Sequence, residues 1–262
     1  MIVRSLVVLA AGVGSGALSA ILGVGGAVVS TPAIRALGAS PELALGSTVP
    51  AIIPSAIVGT IRYHRLGLVD WKVGLWCGGA GAISAAGGVW TSTVVDAHWL
   101  MVATAALMLY SAFSVLRSAR TGVAPLVALV DTAAPIERRA QIGWLVAIGL
   151  GAGFTAGLLG VGGGLIMVPA FTLVLRMQVK EIIASSLVAV AMMSVTSLIG
   201  HLIAGHIDWT YALPLAVGVI PGARLGSRFT AGASDRTMKL VCGALLVVFG
   251  IYYLTTELQG AL

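Results

Sequence analysis

One short pattern occurs twice in this chain. Gly23-Val24-Gly25-Gly26 is followed by Pro32, and Gly160-Val161-Gly162-Gly163 is followed by Pro169 at the same distance, an offset of 137 residues. Gly12, Gly14 and Gly16 match Gly149, Gly151 and Gly153 at that offset. Beyond the pattern the offset becomes 138: Ser47-Thr48 meets Ser185-Ser186, Gly67 meets Gly205, and Asp70-Trp71 meets Asp208-Trp209. This order of matches implies a duplicated unit. Three segments follow: repeat one at 1–116, a polar linker at 117–140, and repeat two at 141–262.

The solvent of these repeats follows from composition. Only 9% of the 262 residues are charged and 58% are hydrophobic, against about a quarter charged in soluble domains. The expected fold is an all-α polytopic membrane protein. Its apolar segments run over 5–22, 24–37, 43–61, 73–95, 98–116, 141–159, 162–175, 182–204, 209–223 and 240–256. The start of the chain has a signal-peptide flavour, with Arg4, an apolar run, and small residues near Ala17 and Ala20. Residues 12–32 recur in the second half, so this segment is expected to be retained as part of the fold.

The segments at 24–37 and 162–175 are shorter than the roughly 20 residues of a full span. If each merges with its predecessor into one crossing, the repeats are parallel and the 15 basic residues divide eight to seven between the two sides. If each turns back at its GVGG, thirteen lie on one side and only Arg4 and Arg35 on the other, which also holds Glu42, Asp96, Asp208 and Glu257. The positive-inside rule selects the second arrangement. The expectation is therefore an inverted repeat in an inner membrane, with both termini outside and the linker cytoplasmic. The net charge of +6 is then a topological signal, and nucleic acid is not an expected partner.

Gly-Val-Gly-Gly is a poor helix interior, each Gly costing about 1 kcal/mol relative to Ala. Backbone released at membrane depth has to face protein or a polar cavity. Short helices beginning around Gly25 and Gly162 would turn unpaired N–H groups and a positive dipole end toward the midplane. Two such ends make an anion site without a basic side chain. The candidate substrate-binding residues are Gly23, Gly25, Gly26, Thr31, Pro32, Ser47, Thr48, Gly160, Gly162, Gly163, Gly164, Pro169, Ser185 and Ser186. Ser19 and Thr155 are weaker hydroxyl candidates. Close packing of glycines is the competing explanation for the repeats of Gly.

Other polar residues have structural readings. Asp70 and Asp208 suit helix N-termini, and Trp71 and Trp209 suit an interfacial belt. His64, His98, His201 and His206 lie near segment ends without metal spacing on one helix face. Cys77 and Cys242 read as small buried hydrophobes. No catalytic set, metal site or cofactor motif is present: Leu165 follows the glycine-rich run 160–164 where a nucleotide loop needs Lys. No Asp or Glu lies mid-span, so the sequence names no carboxylate for proton coupling.

The doubled Gly–Pro segments over 16–32 and 153–169, the Ser47-Thr48 and Ser185-Ser186 pairs, Gly-x-x-Asp-Trp at 67–71 and 205–209, and Pro221-Gly222-Ala223-Arg224-Leu225-Gly226 together resemble the TauE/SafE sulfite-exporter (TSUP) family. The resemblance spans nearly all of the chain outside the linker. Half two carries Gly164 where half one has Ala27, a departure from strict equivalence. It implies a secondary transporter, most simply an exporter, of a small sulfur-containing anion such as sulfite, sulfoacetate or a related organosulfonate. An anion channel, or a transporter of the same fold for a different small anion, has the same signature. The expected partners are that anion and the lipid bilayer; the coupling ion and the oligomeric state are open.

Overall fold

Glycines and capping aspartates set the boundaries of the helices. The structure is a computed structural model that describes residues 2–23, 25–121, 138–174 and 179–260. Val24, most of the linker (122–137) and residues 175–178 lie outside the described residues, as do the side chains of Pro169, Cys242 and Glu257. The described residues form ten helices. Half one holds α1 (Ile2–Leu22), α2 (Ala27–Ala36), α3 (Pro41–Arg65), α4 (Trp71–Ser92) and α5 (Ala97–Thr121). Half two holds α6 (Arg138–Leu159), α7 (Gly164–Val174), α8 (Val179–Ile203), α9 (Trp209–Gly232) and α10 (Asp235–Gly260). Four helices are long and apolar enough to cross a membrane, and they form repeat-equivalent pairs, α1 with α6 and α3 with α8.

Local chemistry starts several of these helices. Ser40 caps α3, its Oγ accepting the Leu43 N–H, with Pro41 in the first turn. Asp70 caps α4 by accepting from the N–H groups of Lys72 and Val73, and Asp208 caps α9 by accepting from Thr210. Trp71 and Trp209 stand exposed beside those caps, where an interfacial aromatic belongs.

The halves pack by exchange. α1 lies on α9, and its repeat partner α6 lies on α4; α3 and α8 lie on each other and on α9 and α4 respectively. Small residues make the two equivalent seams. Gly12 and Gly16 meet the backbone of Leu215 and Val219, while Gly149 and Gly153 meet that of Cys77 and Gly81. A Cβ at Gly16 or Gly153 would collide with the facing backbone carbonyl, so these glycines serve close helix approach. Cys77 is buried in that second seam, its thiol 3.0 Å from the Leu145 carbonyl.

These registers also give directions. Residue numbers rise together along α1 and α9 and along α4 and α6, so those pairs run parallel. Gly46 meets His206 beyond the end of α8 while Gly59 meets Leu187 in its first half, so α3 and α8 run antiparallel; Leu109 meets Gly250 and Leu116 meets Gly243, so α5 and α10 do as well. Lys180 Nζ reaches the Ala231 carbonyl, placing the start of α8 beside the end of α9. Arg4 stacks on Tyr211, placing the start of α1 beside the start of α9. Arg62, Arg65, Lys72, Lys180, Arg224 and Arg228 consequently share one end of the bundle. Arg4, Arg35, Glu42 and Asp208 share the other.

Candidate functional site

The breaks in α1–α2 and α6–α7 occupy the middle of the bundle. Gly25 and Gly26 have φ of 87° and 82°, and Gly162 and Gly163 have φ of 83° and 71°. Such angles belong to glycine and cannot continue a right-handed helix. The short helices therefore begin at Ala27 and Gly164, two residues later than the sequence pattern suggests, and they end at Ala36 and Val174. At 1.5 Å per residue, the ten residues of α2 span about half of a hydrocarbon core.

The two breaks meet there. A Cβ built on Gly25 would stand 2.9 Å from Ile52 Cγ2, 3.1 Å from Val190 Cγ1 and 3.5 Å from the Val161 carbonyl of the other break. Ile52 is the twelfth of 25 residues in α3, and Val190 is the twelfth of 25 in α8. The breaks thus lie at the mid-height crossing of the two most buried candidate spans. Gly23 backs onto Ile183 and Ser186, and Ser186 Oγ donates to the Gly23 carbonyl at 3.1 Å. Gly160 sits against Leu45, and Gly163 against Ala152 and Met193. Ser15 donates to the Gly26 carbonyl, and no side chain caps α2 at Gly26. Gly164 is the buried first residue of α7, and Pro32 is buried within α2. Residue 169 lies within α7.

The hydroxyl candidates separate into two groups. Ser47 Oγ accepts the Asp208 N–H at 2.8 Å and Ser185 Oγ accepts the Asp70 N–H at 2.9 Å. These serines lie toward opposite ends of the bundle and fasten the entry turns of α9 and α4. Thr48 Oγ1 donates to the Leu45 carbonyl of its own helix. The second group has no hydrogen-bond partner although fully buried: Ser19, Thr31, Ser55, Ser194 and Ser197. Ser19 flanks Gly26. Ser55 lies one turn beyond Ile52 on α3, and Ser194 one turn beyond Val190 on α8, so both share the helix faces that meet Gly25.

Sequence reasoning missed Ser55, Ser194 and Ser197. Their repeat equivalents are Met193, Ala56 and Gly59, so no doubled motif marks them. Buried hydroxyls are normally satisfied; Ser19, Ser55 and Ser194, unpartnered and placed about the first break, describe a polar lining held by neutral groups. Among the described residues, no cluster of three or more His, Cys, Asp or Glu exists to hold a metal ion. The full set is glycine backbone, two helix N-termini and hydroxyls, a donor-rich and charge-free surround suited to an anion.

Known proteins resemble the chain over nearly its whole length. A family model described as Sulfite exporter TauE/SafE matches residues 8–253. The probable membrane transporter protein YunE of Bacillus subtilis (strain 168) is 27% identical over 253 residues, covering 90% of this chain and 92% of that protein. A probable membrane transporter protein of Xylella fastidiosa (strain 9a5c) is 27% identical over 260 residues, covering 96% of both. A third, MJ0441 of Methanocaldococcus jannaschii, is 20% identical over 91% of each chain. No solved structure matches the chain.

Proposed function

Because this chain belongs to the sulfite exporter TauE/SafE family of membrane transporters, we propose that it is a secondary transporter, acting as an exporter, for a small sulfur-containing anion. Sulfite, sulfoacetate and related organosulfonates are the substrate class. The observation that carries this reading is the meeting of Gly25 with Val161 at mid-height, ringed by unpartnered hydroxyls. The bound anion accepts hydrogen bonds from Ser19, Thr31, Ser55 and Ser194 and from the first N–H groups of α2 and α7. Each helix start contributes roughly half a positive charge. Gly23, Gly25, Gly26, Gly160, Gly162, Gly163 and Gly164 leave room for it against the backbone. Ser186 and Thr48 back the breaks, and Ser47 and Ser185 keep a hydroxyl proton to donate while fastening their turns.

The halves act as an inverted repeat about this site, in the cell inner membrane. The antiparallel crossing of α3 and α8, the exchanged seams, and the gathering of basic residues at one end support this. The Lys72 end and the linker face the cytoplasm, and both termini face outward. α2 and α7 are half-width helices that return to the side from which their preceding spans started. Transport alternates access to the midplane site rather than performing chemistry, and no catalytic role is assigned to any residue.

The test is flux in proteoliposomes of purified protein, with sulfite, thiosulfate and sulfoacetate each supplied under sodium, proton and potential gradients. Saturable movement of at least one is expected. Movement of none under every gradient overturns the proposal.

A further inference from the structure

Half two carries two imidazoles where half one carries a phenol and an aliphatic chain. His201 is 1% exposed in the last turn of α8. Its Nε2 lies 3.2 Å from the Gly157 carbonyl in the last turn of α6, one residue turn before the break at Gly160. Its Nδ1 lies 3.4 Å from Nδ1 of His206, in the turn between α8 and α9. At the equivalent place Tyr63 Oη donates to the Ala20 carbonyl of α1 at 2.6 Å. Leu68 N–H donates to the Tyr63 carbonyl at 3.1 Å, as His206 N–H does to the His201 carbonyl at 3.0 Å. The same clasp, tying a long central helix to the helix that precedes the break, therefore exists at both ends of the bundle. It is built from imidazoles only at the Asp208 end.

The hydrogen-bond roles are constrained. A carbonyl only accepts, so His201 Nε2 carries a hydrogen and, in the neutral ring, Nδ1 is an acceptor. The Nδ1–H of His206 meets it. One further proton enters without loss of either bond. It binds Nε2 of the half-buried His206, which becomes the imidazolium while its Nδ1–H stays bonded to His201 Nδ1. A second proton would set two N–H groups and two positive charges against each other across 3.4 Å.

The surroundings leave this exchange to the two rings. From α6 the facing group is the Gly157 carbonyl, and from α4 Val89 packs on Gly200. From α3, Gly46 lies against His206 and Ser47 bonds the Asp208 N–H. Among the described side chains, the carboxylates at this end are Glu42, Asp96 and Asp208. Asp96 Oδ1 accepts from the His98 N–H, and Asp208 Oδ1 from the N–H and hydroxyl of Thr210.

We propose that His201 and His206 form a proton-binding site, and that a proton gradient acts on transport through it. The second clause rests on the transport reading above, whereas proton binding does not. Half-buried His206 takes the proton, and buried His201 relays its effect to the Gly157 carbonyl of α6. The clasp it protonates ends beside the second break, so proton occupancy changes the hold on α6 at the side opposite the linker.

Two measurements decide the proposal. Heteronuclear NMR of the full chain in nanodiscs, with imidazole labels and His64 and His98 replaced by Gln, reads proton binding directly. The resonances of His201 and His206 should move together through one shared step, with the second proton bound at least about tenfold more weakly. In His206→Leu, His201 should titrate alone in a single step. Independent titration of the two rings in the parent protein overturns the site. In sulfite-loaded proteoliposomes, His206→Leu and the double variant with His201→Tyr, which reproduce Leu68 and Tyr63, should keep flux and lose its dependence on an imposed pH gradient. Unchanged dependence overturns the coupling. Parent protein that moves none of sulfite, thiosulfate and sulfoacetate under any gradient overturns the coupling and the proposed function together, while the NMR titration decides the proton site by itself.

Discussion

Ser47 Oγ accepts the backbone N–H of Asp208 at 2.8 Å, 161 residues away in sequence. Its repeat counterpart, Ser185 with Asp70, has the same bond at 2.9 Å. Each serine thus anchors the entry turn of a helix from the opposite half. These two bonds tie the halves together at both ends of the bundle.

Ser47→Ala and Ser185→Ala should each lower stability by about 0.5–1.5 kcal/mol, the net worth of a part-buried hydrogen bond. The thermal unfolding midpoint of purified protein reads this. Thr91→Ala removes a hydroxyl bonded to its own helix on an exposed site and should move the midpoint less. A midpoint unmoved in both serine variants would mean that the turns are held by the aspartate caps alone.

Equivalent positions should open to opposite sides of the membrane. Lys72 and Thr210 correspond at the repeat offset, and both are exposed. Single cysteines there, in a background lacking Cys77 and Cys242, are predicted to react with an impermeant thiol reagent from the cytoplasmic and the outer side respectively. Labelling of both from one side would make the repeats parallel and return the charge distribution to an unexplained eight against seven.

Much of this architecture is legible in the sequence. The GVGG breaks, the capping aspartates and the segregation of charge are local or periodic signals, and each depends on a residue type with one dominant physical meaning. The hydroxyl lining was not readable. Ser55 and Ser194 look like any serine in an apolar run, which usually bonds back to its own helix; only the crossing of α3 and α8 at the breaks gives them their place. Ser47 and Ser185 illustrate the converse. Their doubled occurrence flagged importance, and the sequence suggested ligand donors, but the partners that take their lone pairs, Asp208 and Asp70, are fixed by tertiary packing.

The α4–α6 seam should be intolerant of a single methyl. Gly153→Ala places a Cβ against the Gly81 carbonyl, a backbone atom with no rotamer to give. Overpacking of this kind costs roughly 1–3 kcal/mol and should reduce folded yield in detergent. Gly151 lies on the same helix with open space around it, so Gly151→Ala should be neutral or slightly stabilising. Equal yields for the two variants would show that the seam is looser than its backbone contacts indicate.

The last prediction asks what holds the charge of the substrate. Ser55 and Ser194 make no internal hydrogen bond, so Ser55→Ala and Ser194→Ala remove nothing that the folded protein uses, and their unfolding midpoints should stay at or above that of the parent. If the hydroxyls serve the anion, each loss withdraws a hydrogen bond to a charged acceptor, worth about 1.5–3 kcal/mol. At about 1.4 kcal/mol per decade, apparent affinity for sulfite should fall by roughly tenfold to a hundredfold. Arg62 and Arg228 are exposed at the Lys72 end, where ions screen them; Arg62→Gln and Arg228→Gln should slow capture with little change in affinity. The combination of unchanged stability and weakened binding separates a ligand contact from a structural one, because a purely structural serine has to move both. If an arginine variant abolishes binding while the serine variants are silent, the anion is held by a side-chain cation and the midplane assignment fails.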